Sequence, residues 1–108
     1  MIRFKDIGFV RIELPDNRVK YLGVVNIGPY QLSVGYGDTM YGSGPDPSRP
    51  DTGGTYEVAL FCGDDMVSLD DDNTVLAWVS AEEIDDLIAA LDYLGEEKVA
   101  QLKIGQYN

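Results

Sequence analysis

A chain of 108 residues, 44% hydrophobic and 25% charged, has the size and balance of one domain built around a single core. It contains no histidine and one cysteine, Cys62, which excludes Ser-His-Asp and Cys-His catalytic arrangements, histidine-metal sites, structural zinc clusters and an internal disulfide. The formal net charge of -11 disfavours direct contact with nucleic acid, because phosphate contacts need clustered positive charge.

The first residues, Met-Ile-Arg-Phe-Lys-Asp, carry charge too early for a signal peptide. With the lone cysteine, this makes the cytoplasm the expected compartment. From Phe9 to Leu14, Val10, Ile12 and Leu14 alternate with Arg11 and Glu13, Pro15-Asp16-Asn17 supplies a turn, and Val19 to Ile27 returns. This pattern predicts a hairpin with Val10, Ile12 and Leu14 on one face. Gly28-Pro29 turns the chain into a second half-buried strand, in which Tyr30, Leu32, Val34 and Tyr36 alternate with Gln31, Ser33 and Gly35.

That strand contains S-V-G-Y-G-D, Ser33 to Asp38, which is similar to the T-V-G-Y-G selectivity filter of potassium channels. A filter must be framed by spanning helices, and each needs about 20 mostly apolar residues. The longest uncharged run, Tyr21 to Gly37, is shorter and contains Asn26, Pro29 and Gln31. The stretch is therefore expected to be a strand entering a glycine loop, and no membrane association is expected.

Gly37 to Gly54 contains Pro45, Pro47 and Pro50 among Gly37, Gly42, Gly44, Gly53 and Gly54. Neither a helix nor a central strand persists through such a composition. The segment is a long loop, read either as a plain connection or as a binding loop presenting Tyr41, Arg49 and Asp51. Its Gly-Ser-Gly is not followed by a helix carrying Gly-Lys-Ser/Thr, so it makes no phosphate loop.

Thr55 to Cys62 reads as a strand with Tyr56, Val58, Leu60 and Cys62 on one face, the cysteine as a buried thiol rather than a nucleophile. After Gly63-Asp64-Asp65 turns the chain, Met66 to Leu69 and Thr74 to Val79 are expected to pair as a hairpin around Asp70-Asp71-Asp72-Asn73. Against a calcium-binding EF-hand loop beginning at Asp70, Val75 falls at the glycine position and Ala81 at that of the bidentate glutamate, so the pattern fails. An irregular calcium site from Asp64, Asp65, Asp70 and Asp72 is the alternative, and no cofactor is implied.

The sharpest local signal is Val79-Ser80-Ala81-Glu82-Glu83-Ile84: Ser80 and Glu83 form a capping box, and Val79 with Ile84 a hydrophobic staple. The helix that starts there carries Ile84, Leu87, Ile88, Leu91 and Leu94 on one arc and Glu82, Asp85, Asp86 and Asp92 on the opposite one, and Gly95 is placed to end it. Val99 and Leu102 mark a further short helix within 96–104. The expected fold is α+β: a mostly antiparallel sheet of about five or six strands packed by a C-terminal amphipathic helix, one domain over residues 1–108 with its Gly/Pro loop at 37–54.

Charge is segregated along this fold. Between Arg49 and Lys98 there is no basic residue but there are fourteen carboxylates, while five of the eight basic residues lie within the first twenty positions. The chain is accordingly expected to be a non-enzymatic acidic binding protein, one that occupies a basic, nucleic-acid-binding groove of a partner protein as an inhibitor. In size and charge alone it is similar to the small acidic phage proteins that block restriction or CRISPR nucleases. The expected contact residues are Glu82, Asp85, Asp86 and Asp92 on the helix, Asp64, Asp65, Asp70, Asp71 and Asp72 in the turns, and Tyr41 in the loop. The alternatives are a structural or assembly protein, such as a phage-particle subunit, and acids that only keep a small domain in solution.

Overall fold

A computed structural model describes residues 2–46, 48, 54–67 and 75–94, without the side chain of Leu94. Among the described residues six strands, β1 (Val10–Glu13), β2 (Val19–Ile27), β3 (Tyr30–Gly37), β4 (Tyr56–Cys62), β5 (Asp65–Val67) and β6 (Val75–Val79), form one antiparallel sheet, followed by one α-helix, α1 (Ala81–Leu94). This is the α+β architecture that the hydrophobic patterning implies. Gly95 and residues 96–104, with Val99 and Leu102, lie outside the described residues. No helix among the described residues is long and apolar enough to cross a membrane.

The turns follow from local chemistry. Asp16 and Asn17 both adopt positive φ, at 67° and 63°, a region that Asp and Asn tolerate better than other side chains, and Gly28 turns β2 into β3 at φ 58°. The register then places Val25 opposite Leu32, Gly23 opposite Val34, Leu32 opposite Leu60 and Val34 opposite Val58, so one face of the sheet presents a continuous apolar surface. Against it α1 buries Ile84, Leu87, Ile88 and Leu91, each at most 1% exposed. Those four side chains contribute on the order of 6–12 kcal/mol, an upper bound because unfolded chains already bury some apolar area.

The start of α1 is set by side chains. Ser80 Oγ accepts the Glu83 N–H at 3.1 Å, and Glu83 Oε1 accepts the Ser80 N–H at 3.1 Å. The Ile84 N–H donates to the Ser80 carbonyl at 3.0 Å, and Val79 and Ile84 are buried in the same cluster. The expected capping box is therefore present.

In β1 the expected alternation is present: Val10 and Ile12 lie on one face, and Arg11, opposite Tyr21, and Glu13, opposite Val19, lie on the other, where both charged side chains remain exposed. Alternation separates two faces of a strand but does not say which one is covered. One expectation needs correction: the described parts of β5 and β6 do not pair with each other as a hairpin, and both pair with β4. Val67 lies opposite Leu60 and Val75 opposite Ala59, so the two strands occupy successive positions along one edge of β4, with residues 68–74 between them outside the described set.

The filter-like Ser33–Gly37 is part of β3 and pairs on both sides, with Gly35 opposite Leu22 on β2 and opposite Glu57 on β4. Its backbone is thus committed to the sheet. A Cβ at Gly35 would press into the Met40 and Leu22 side chains, so packing holds this glycine in place.

Two outcomes follow for stability. Ser80→Ala should lose roughly 0.5–2 kcal/mol in denaturant titrations, whereas Asp92→Ala should stay within about 0.5 kcal/mol. Equal losses would contradict the cap. Burial raises the pKa of Tyr30, Tyr36 and Tyr56 above the usual tyrosine value, because it penalises the phenolate. Their contribution to stability is then complete up to about pH 10 and is lost as pH rises through the folded-state values. Tyrosinate absorbance followed together with circular dichroism should show these three ionising in step with unfolding.

Candidate functional site

Two neighbouring features stand out on the surface: the acidic side of α1, and an aromatic pair beside its N-terminus. On α1, Glu82, Glu83, Asp86 and Asp92 are exposed. Glu82 and Glu83 complement the positive end of the helix dipole, but Glu82 and Asp86 are like charges at i and i+4, a pairing that weakens a helix by a few tenths of a kcal/mol. Among the described residues the one ion pair is Arg11–Glu13, in β1. No carboxylate of α1 takes part in it, and β4, β6 and α1 contain no lysine or arginine.

Asp85 behaves differently from the other expected contact residues. It is half-buried, and its Oδ1 accepts the backbone N–H of Phe4 at 2.6 Å. It ties the N-terminal segment to α1, so it is a structural anchor on the border of the polar arc. A helical projection shows the arc but not which distant backbone comes to meet it.

Asp64 and Asp65 do not join the α1 surface. Asp64 and Asp65 are exposed at the Cys62 end of β4, roughly 20 Å along the strand from Tyr56, where β6 runs into α1. Asp70, Asp71 and Asp72 lie outside the described residues, as do Arg49 and Asp51. Among the described residues no three carboxylate or thiol groups cluster closely enough to hold a metal ion. Cys62 is half-buried opposite Tyr30 and packs against the core. A cleft of about 200 Å³ opens beside the β1–β2 turn, lined by Arg11, Glu13, Leu14, Asn17, Arg18 and Val19. Glu13 already engages the Arg11 guanidinium there.

The first part of the Gly/Pro segment folds onto the sheet. Asp38 Oδ2 accepts the Val19 N–H at 2.7 Å while the Asp38 N–H donates back to the Val19 carbonyl. Gly44 forms a bridge with Thr55. Gly42 lies so close to β4 that a Cβ there would stand 2.6 Å from the Tyr56 Cα and 2.9 Å from the Glu57 nitrogen. These contacts place Tyr41, whose N–H approaches Glu57 Oε1 at 3.3 Å and whose carbonyl accepts the Trp78 N–H at 2.8 Å.

Trp78, which sequence reasoning did not single out, completes the pair. In β6, Ala77 and Trp78 together face the single residue Glu57, because Tyr56 pairs with Val79 and Val58 with Leu76. This is a β-bulge. Trp78 sits in it at φ 57°, a left-handed conformation unfavourable for a bulky side chain. Trp78 is 58% exposed beside Tyr41, which is 61% exposed; the ring centroids are 6.4 Å apart at an interplanar angle of 64°. Every residue of Val75–Val79 is apolar, so period-two reasoning had no contrast from which to identify the solvent-facing member.

Two substitutions separate scaffold from surface. Asp85→Ala should cost about 1–3 kcal/mol, since it leaves the Phe4 N–H without its charged acceptor, whereas Asp86→Ala should be close to neutral. Hydrogen exchange at Phe4 should accelerate in the first variant only. Trp78→Gly should stay within about 1 kcal/mol of the parent, because relief of the left-handed strain offsets the lost ring contacts. A loss of 3 kcal/mol or more, about that of a core tryptophan, would show that the ring supports the fold.

No protein-family model matches this chain, and no curated protein and no solved structure matches it with significance.

Proposed function

We propose that the protein is a non-enzymatic binding protein whose acidic helical side engages a basic surface of another protein. In the limiting case that surface is a groove that normally holds nucleic acid, and the protein acts as its inhibitor. The observation that carries this reading is the set Glu82, Asp86 and Asp92, exposed on one rigid helix with no ion-pairing partner among the described residues. Carboxylates at i and i+4 stand about 5–6 Å apart at Cβ, near the phosphate repeat of a nucleic-acid strand. A field of one sign speeds encounter with an opposite one. The proposed setting is the cytoplasm, and neither membrane nor nucleic acid is a proposed direct partner.

A second reading, assembly through contacts with other copies or particle proteins, draws on the other face of the sheet. Val10, Val24 and Met66 are exposed there. Molecular mass that rises with concentration, and returns to the monomer value in Val24→Lys, would favour it.

The test of the first reading neutralises Glu82→Gln, Asp86→Asn and Asp92→Asn together and leaves Asp85 in place, so that the Phe4 anchor survives. A partner captured from host extract at low salt and eluted by rising salt provides the binding assay. Association of the triple variant should be roughly tenfold slower at low ionic strength. The difference should shrink as salt approaches 0.1 M and beyond, where the Debye length falls to about 10 Å and below. DNA or RNA should compete with the unmodified protein if the groove normally holds it. Unchanged association of a folded triple variant would move the working surface elsewhere.

A further inference from the structure

We infer that Tyr41 and Trp78 form an aromatic seat for an arginine side chain of a basic partner, within the negative field of Glu57 and the first turn of α1. The inference rests on the reading that the partner is basic, and it names the group that is recognised. Three observations support it. The backbones that carry the rings are held from both sides, by the Trp78 main-chain N–H on the Tyr41 carbonyl and by Gly42 against the β4 backbone, so no backbone ordering is needed on binding. The rings meet at 64° as a corner rather than a closed stack, and Tyr41 and Trp78 are each more than half exposed. Among the described residues, the charged ones of the loop, β4 and the first turn of α1 are all acidic: Asp38 and Asp46 in the loop, Glu57 on β4, and Glu82 and Glu83 four and five residues beyond Trp78; Arg49 of the same loop lies outside the described residues.

This combination selects a cation with a planar, weakly hydrated head. Guanidinium lies against an aromatic face while its edges donate to carboxylates, whereas the compact ammonium of lysine holds its water more strongly. An uncharged apolar group would gain nothing from the acidic surroundings. A backbone that keeps a tryptophan at positive φ on the surface, where glycine or asparagine would sit without strain, is accounted for if the ring has work to do there.

Trp78 is the one tryptophan in the chain, so its emission reports on this corner alone. The probes are blocked hexa-arginine, hexa-lysine and hexa-citrulline peptides, the last planar but uncharged. They are titrated at low salt by tryptophan emission and, with a dye on the peptide, by anisotropy. Hexa-arginine should perturb the emission and bind about two- to five-fold more tightly than hexa-lysine. Hexa-citrulline should not bind. Tyr41→Ala and Trp78→Asn, both checked for folding by circular dichroism, should keep lysine-level binding and lose the arginine preference. The Glu82, Asp86 and Asp92 triple variant should weaken both cationic peptides in proportion and keep their ratio, so failure of the acidic-helix reading is distinguishable from failure of the seat. Equal affinity for arginine and lysine peptides in the parent, an unchanged ratio in both ring variants, or citrulline binding equal to arginine would each overturn the inference.

Discussion

The structure depends on covering one face of a wide sheet with a single helix. An α-helix with its side chains is about 10–12 Å across and strands lie about 4.8 Å apart, so one helix shields two to three strands. The inner surface of β2, β3, β4 and the paired β5 and β6 is wider than that. Ile84, Leu87, Ile88 and Leu91 seal the aliphatic part, above Val25, Leu32, Leu60 and Val58. The remainder is closed by the N-terminal segment, which brings in Phe4, Ile7 and Phe9, and by tyrosine rings large enough to fill what the helix leaves. Phe4 packs on Tyr56 with centroids 4.8 Å apart, Phe9 on Tyr36 at 5.2 Å and Tyr21 on Tyr36 at 4.8 Å. Gly23 belongs to the same solution, since any side chain there would collide with the Ile7 methyl that lies over it.

This need for a second cover divides the acidic residues of α1 into different roles. Glu83 closes the capping box, Asp85 holds the N-terminal cover through the Phe4 amide, and Glu82, Asp86 and Asp92 remain on the surface. Residues of one charge and one helix therefore do three physical jobs, and the surface left for a partner is narrower than the polar arc of the helix. The neighbouring corner arises from a similar conflict. The register shift between β4 and β6 needs an extra residue before α1 begins, and the bulge that absorbs it turns Trp78 out beside the loop residue Tyr41.

Residues close in sequence determined much of this protein. Ser80 with Glu83 sets where α1 starts, the spacing of Ile84 to Leu91 sets which side it buries, and the alternation of Tyr30 to Tyr36 marks β3 and its core face. Each is written in neighbours within one helical turn or two strand positions, so the sequence by itself was enough. The tertiary structure decided whatever depended on partners far along the chain. The face that Arg11 and Glu13 occupy follows from the register of β1 on β2, and the pairing of β5 and β6 follows from the free edge of β4. The role of Asp85 follows from a backbone group 81 positions away, and Trp78 meets Tyr41 only because a loop crosses β4 on Gly42. Patterning says that a residue has two possible surroundings; only packing selects one, because the selecting atoms belong to segments that no local window contains.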